Sequence, residues 1–106
     1  MQKCKIKIPQ DRIKEFCKKY EINEFSLFGS VLTDAFHQDS DVDILVSFDE
    51  KAQHTLFDLA RMKNELEQLL GHEVDLVSKR GLETSRNFIR KNAILKSAEP
   101  IYAAGS

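Results

Sequence analysis

Residues 27–48 read LFGSVLTDAFHQDSDVDILVSF, and the fold turns on this stretch. An apolar run, Phe25, Leu27 and Phe28, stops at Gly29-Ser30. Further on, Asp41 and Asp43 bracket Val42 and lead into Ile44, Leu45, Val46 and Phe48. β-Branched and aromatic residues at this density predict a strand over Asp41 to Phe48. Side chains two apart on a strand point to the same face. Asp41 and Asp43 then share one face, roughly 6–7 Å apart at Cα, while Val42, Ile44, Val46 and Phe48 share the other and build core. Two carboxylates in an otherwise apolar strand are costly to desolvate unless something uses them. Their oxygens suit a hard divalent cation such as Mg²⁺.

Gly29 and Ser30 fit the same picture. Without a Cβ, Gly29 lets a ligand approach the backbone. Ser30, at the start of a helical turn, offers its hydroxyl and nearby N–H groups to a phosphate. A Gly-Ser at a strand end is ordinarily a plain turn, and a lone Asp-x-Asp is ordinarily solvated. Together they suggest a nucleoside triphosphate held with Mg²⁺. Asp75, between Val74 and Leu76, is a third candidate. Alone it reads as a tolerated edge charge, but a strand beside Asp41–Asp43 would bring it to their face.

Around this centre the elements follow from pattern. Pro9 to Tyr20 predicts a helix with Ile13, Phe16, Cys17 and Tyr20 as its buried stripe. Glu21 to Asn23 reads as a turn, Glu24 to Phe28 as the first strand, and Ser30 to Ala35 as a short helix. Thr55 and Asp58 resemble a capping box. The helix behind them carries Leu56, Leu59, Ala60, Met62, Leu66, Leu69 and Leu70, with Gly71 as its C-terminal cap. Glu73 to Ser78 is a strand with Val74, Leu76 and Ser78 on one side and Asp75 and Val77 on the other. Glu83 to Ala98 predicts one or two helices with Phe88, Ile89, Ile94 and Leu95 as apolar positions, and Pro100 to Tyr102 an extended piece. Alternating helices and strands predict an α/β sandwich on a small mixed sheet.

Composition narrows the function. The 106 residues, 42% hydrophobic and 31% charged, suit one domain with a core. A net charge of −1 argues against a broad nucleic-acid-binding surface. The sequence has no apolar run long enough for a membrane span, and residues 1–10 lack the apolar stretch of a secretory signal. Cys4 and Cys17 read as free thiols in a reducing cytoplasm, Cys17 as a core residue. His37, His54 and His72 have no ligand spacing, so no zinc site is expected. Lys79-Arg80 could touch phosphate but reads first as a solvated pair, and Arg86 and Arg90, one turn apart, could face a partner or water, with water favoured.

Gly29-Ser30, ten intervening residues and Asp41-Val42-Asp43 resemble the signature of the DNA polymerase β-like nucleotidyltransferase superfamily. The likeness is greatest to its shortest members, the minimal nucleotidyltransferases, and runs from about Ile8 to Tyr102. It implies the nucleotidyltransferase fold, an α/β (α+β) fold with helices on a small mixed sheet, as a single domain over residues 1–106. The family's third carboxylate lies in a Val-Asp-Leu strand like that of Asp75. The resemblance therefore implies that Asp41, Asp43 and Asp75 are catalytic and hold two Mg²⁺ ions, and that Gly29 and Ser30 bind the nucleotide. It favours ATP as substrate, with transfer of AMP and release of pyrophosphate. Thr33 stands where many relatives carry Arg, and His37-Gln38 where Arg-Pro is frequent.

Larger members of the superfamily add domains that hold the acceptor, and 106 residues leave no room for one. Another molecule is then expected to present the acceptor. Minimal nucleotidyltransferases are commonly encoded beside a HEPN-domain RNase toxin and act as its antitoxin, adding AMP to a toxin tyrosine. A HEPN-domain partner in the cytoplasm is the implied setting. Two alternatives stay open: an antitoxin that works by binding alone, and a catalytic subunit that transfers NMP to a small molecule within an oligomer.

Overall fold

The structure, a computed structural model, describes residues 8–34, 36, 37 and 39–104. The chain runs α1 (Gln10–Lys19), β1 (Ile22–Phe28), a 3-10 turn (Gly29–Leu32), β2 (Val42–Phe48), α2 (Leu56–Leu70), β3 (Val74–Ser78), α3 (Lys79–Glu83), α4 (Phe88–Ser97) and β4 (Glu99–Ala103). The four strands form one sheet in the order β3-β2-β1-β4. β1 pairs antiparallel with both β2 and β4, and β2 pairs parallel with β3 across the α2 connection. This is the mixed sheet with helices that the alternation predicts.

One sheet face carries the main core. Phe25, Leu27, Val42, Ile44, Val46 and Val74 are buried there against Ile13, Phe16, Cys17 and Tyr20 of the α1 segment and Met62 and Leu66 of α2. The predicted stripe on α1 is buried throughout, as is the face of β2 assigned to core apart from half-buried Phe48. Burial pushes the Cys17 thiol up to about 12, which makes it an inert packing group. Cys4 lies outside the described residues.

The opposite face holds a smaller cluster of Phe28, Leu45, Leu82 and Ile94, with Val77 and Ala98 packed against it. The α3–α4 segment supplies Leu82, Ile94 and Ala98. The sheet is therefore covered on both faces, and the carboxylate-bearing face is only partly polar.

Local chemistry fixes where β3 sits. α2 starts at a capping box: Thr55 Oγ1 accepts from the Asp58 N–H at 3.3 Å, and Asp58 Oδ2 accepts from the Thr55 N–H at 2.9 Å. It ends at Gly71 in the left-handed region, with φ 71. Glu67 on the last turns of α2 accepts from the Val74 N–H at 3.0 Å, and the Val42 N–H donates to the Glu73 carbonyl at 2.8 Å. These two bonds tie the start of β3 to α2 and to β2.

Several expectations shift. The Pro100–Tyr102 piece is a full edge strand, because its backbone pairs with β1 from Glu24 to Leu27. β1 starts at Ile22 instead of Glu24: Glu21, with φ 57, makes the reversal, and Ile22 already enters the core. The short helix expected over Ser30 to Ala35 is a 3-10 turn ending at Leu32. Thr33 is extended there and gives both its N–H and its hydroxyl to the Ser30 carbonyl, each at 2.9 Å. Ala35 lies outside the described residues. Leu56 in α2, and Phe88, Ile89 and Leu95 in α4, are exposed; of the α4 apolar set Ile94 is the one that is buried. Among the described residues, no helix is long and apolar enough to cross a membrane.

Phe25 stands at the centre of the main core, fully buried with its ring 6.3 Å from that of Phe16. Phe25→Ala should cost about 3–5 kcal/mol of stability, read as a lower urea midpoint with an unchanged slope. A loss below about 1 kcal/mol would mean that the core lies elsewhere.

Candidate active site

Pairing register brings the predicted residues together. In the antiparallel β1/β2 ladder Phe28 is the partner of Asp43, and in the parallel β2/β3 ladder Asp43 is the partner of Asp75. Directly paired residues point to one face, with neighbouring strands about 4.8 Å apart. Asp43 and Asp75 therefore stand side by side on the face that carries Phe28 and Leu45. Asp41 immediately precedes β2 instead of opening it, and is exposed. Asp43 is half-buried and Asp75 about half exposed.

Gly29 closes the other side. It follows Phe28 directly and has φ +77, a conformation that favours glycine. A Cβ placed there would run into the Asp43 carboxylate, its Cγ 3.1 Å away. The Gly29 backbone thus lies against Asp43 with no room between them. Ser30 follows in the same 3-10 turn and is half-buried. Gly29, Ser30, Asp43 and Asp75 converge at one end of the sheet, with Asp41 at its rim.

The electrostatics show how crowded this end is. Burial, then the neighbouring Asp75 and Asp41 carboxylates, push the Asp43 carboxyl above its ordinary value, and Arg90 partly offsets them. Asp43 with these two carboxylates near it offers an all-oxygen donor set, the kind a hard cation takes. Among the described residues, however, no three His, Cys, Asp or Glu side chains stand close enough to enclose a metal as they are. Asp75 instead faces Arg90, whose Nη2 lies 3.8 Å from its Oδ2.

Arg90 is the residue that sequence reasoning missed. It reads as a solvated charge, yet it sits one turn before buried Ile94 and so shares the helix face turned to the sheet. That i, i+4 relation was the available signal. Lys79 and Arg80 open α3 at the other end of β3. They line a separate cavity of about 410 Å³ with Ser47, Phe48 and His54. His54 is engaged in packing there: its Nε2 lies 2.7 Å from the Tyr20 carbonyl and its ring 4.6 Å from that of Phe48.

Comparison with known proteins follows the same outline. Residues 11–97 match the nucleotidyltransferase domain family. The protein adenylyltransferase MntA of Thermococcus cleftensis is 39% identical over 71 residues, covering 67% of this chain and 70% of that one. A Methanocaldococcus jannaschii protein provisionally named a protein adenylyltransferase is 43% identical over 60 residues. That match covers 57% of this chain and 62% of the relative, somewhat under two thirds of its length. A solved structure provisionally described as a minimal nucleotidyltransferase superposes with TM-score 0.67 at 36% identity, covering 87% of this chain and 88% of that one. A toxin–antitoxin crystal structure with AMP-PNP gives TM-score 0.70 at 18% identity, covering 92% and 76%; at that identity the likeness is one of fold.

Two predictions come from this geometry. Gly29→Ala should destabilise by about 1–3 kcal/mol, because the new Cβ is strained in the left-handed region and displaces Asp43; denaturant titration measures it, and a neutral result would refute the close packing. Asp43→Asn should raise the melting temperature at neutral pH. The folded Asp43 carboxyl titrates above its ordinary 3.8, so the wild type loses stability as pH climbs from there through the raised value. The advantage of the Asn variant should therefore vanish below the ordinary carboxylate range. An advantage that persists in acid would mean that repulsion is not its source.

Proposed function

Because the chain belongs to the nucleotidyltransferase domain family, whose match spans residues 11–97, we propose that it transfers AMP from ATP, with Mg²⁺, to a hydroxyl of a protein partner. The partner in this reading is a HEPN-domain toxin, and the chain is its antitoxin. The observation that carries the proposal is the register that sets Asp43 beside Asp75 with the Gly29 backbone against Asp43. The adenylyltransferase name of the MntA relative supports the choice of AMP, and toxin–antitoxin complexes among the similar folds support the partner.

In this mechanism Gly29 and Ser30 receive the triphosphate, Ser30 through its hydroxyl and Gly29 through a backbone that no Cβ shields. Asp41, Asp43 and Asp75 are the residues that would hold Mg²⁺. Bound there, the metal neutralises phosphate charge and lowers the pKa of the acceptor hydroxyl. Asp75 sits on its own strand, farther from the Gly-Ser turn than Asp43, and takes the proton from the acceptor hydroxyl. The hydroxyl oxygen bonds to the α-phosphorus while the bond from that phosphorus to the bridging oxygen breaks. Pyrophosphate leaves with that electron pair, and the partner keeps the AMP. Asp43 and Asp41 act on the nucleotide side.

Incubating the purified chain with ATP labelled at the α-phosphate, Mg²⁺ and a HEPN-domain protein tests this reading. Label should appear on the partner, and Asp43→Asn should abolish it. A stable complex without label would establish an antitoxin that works by binding alone. Asp75→Asn should slow transfer about 10²-fold or more yet spare Mg²⁺–ATP binding in calorimetry, whereas Asp41→Asn should weaken both. Equal loss of nucleotide affinity in both variants would refute the division between the strands.

A further inference from the structure

The loop assigned to the triphosphate contains no strong cation. From Gly29 to Asp43 the chain has Asp34, Asp39, Asp41 and Asp43 but neither Lys nor Arg. Its one imidazole, His37, accepts the Asp39 N–H at 3.2 Å through Nδ1. A triphosphate would add several negative charges to a site where Asp43 already feels two neighbouring carboxylates. Oriented hydrogen-bond donors and positive charge are what phosphate recognition calls for, and a planar guanidinium supplies both.

Arg90 is placed to supply them. Ile94, one turn further along α4, is buried against Phe28 and Leu45, and this fixes the face of the helix that looks onto the sheet. Arg90 shares that face and reaches Asp75. Its pair with Asp75 is loose: at 3.8 Å, with the side chains 58% and 52% exposed, the contact is worth little and leaves most guanidinium N–H groups available. Three neighbouring cations are engaged or distant. Lys91 donates to the Glu83 carbonyl at 3.3 Å, and Lys79 and Arg80 line the cavity at the other end of β3.

We propose that Arg90 is the cation that binds the phosphates at this site, lying beside Asp75 and turning to the triphosphate when nucleotide binds. The assignment rests on the nucleotide reading above and deepens it. The ligand class is a nucleoside triphosphate recognised through its phosphates, so inorganic triphosphate with Mg²⁺ is a sufficient probe.

Calorimetric titration of Mg²⁺–ATP, and of inorganic triphosphate with Mg²⁺, into the full chain tests it. Arg90→Ala should weaken both ligands by about 10–100-fold, the range of one charged hydrogen-bonding group. Arg90→Lys should recover part of the loss, since charge remains but the planar fork does not. The double variant with Asp75→Asn supplies the control. A direct contact predicts that Arg90→Ala costs the same factor with or without the Asp75 carboxylate. If the cost disappears in the Asp75→Asn background, Arg90 acts only by positioning Asp75, and the proposal is overturned. Equal affinity in wild type and Arg90→Ala overturns it as well, while leaving the nucleotide site standing. If the wild type binds neither ligand, the nucleotide reading itself falls and takes Arg90 with it.

Discussion

The structure depends on one unfavourable contact: two carboxylates, Asp43 and Asp75, paired across adjacent parallel strands on one face of a sheet. Like charges opposite one another destabilise a ladder, and here partial burial, then Asp75, then Asp41 raise the Asp43 carboxyl. The fold must impose this arrangement from elsewhere. It does so through the other faces of the same strands. Val42 and Val74, each one residue before its Asp, are paired with each other and buried in the main core. Sliding β3 by one residue to part the carboxylates would turn Val74 out of that core. The hydrophobic face thus holds the register that the polar face resists.

The same logic explains Gly29. β1 and β2 are locked by Phe25, Leu27, Ile44 and Val46, so the end of β1 must arrive beside Asp43. Only a residue without Cβ leaves space for the carboxylate at that point. Backbone and carboxylate are then in direct contact where the chain leaves β1, which is where a ligand can meet both.

Much of this was legible in the sequence. Alternation in Asp41–Phe48 separated the core face from the carboxylate face, and the Val-Asp-Leu pattern placed Asp75 on a strand that could stand beside Asp43, as the register has it. The capping box at Thr55 and the glycine cap at Gly71 bounded α2 because both are short-range signals with a fixed chemical meaning. What was illegible depends on contacts distant in sequence. Pro100 to Tyr102 has no strong strand pattern of its own and becomes β4 only because β1 has a free edge. In α4 the apolar residues Phe88, Ile89, Ile94 and Leu95 encircle the helix, so periodicity could not say which side meets the sheet. That ambiguity hid Arg90.

The two layers over the sheet are unequal, and the difference bears on the site. α1 and α2 rest on an extensive core, whereas the α3–α4 segment rests on Leu82 and Ile94 against Phe28 and Leu45, with Val77 and Ala98 beside them. A layer with less buried apolar surface opens at lower free energy than the rest of the fold. Asp43 and Asp75 belong to the well-anchored sheet and Gly29 to the turn that directly follows β1, while Arg90 belongs to the lightly anchored helix. Groups that must keep a fixed mutual geometry are therefore built on strands held by the main core. Arg90, a long and flexible cation beside Asp75, is carried by the less deeply anchored layer. A displacement of α4 would thus shift the positive charge of Arg90 relative to the carboxylates without disturbing the register that sets them side by side.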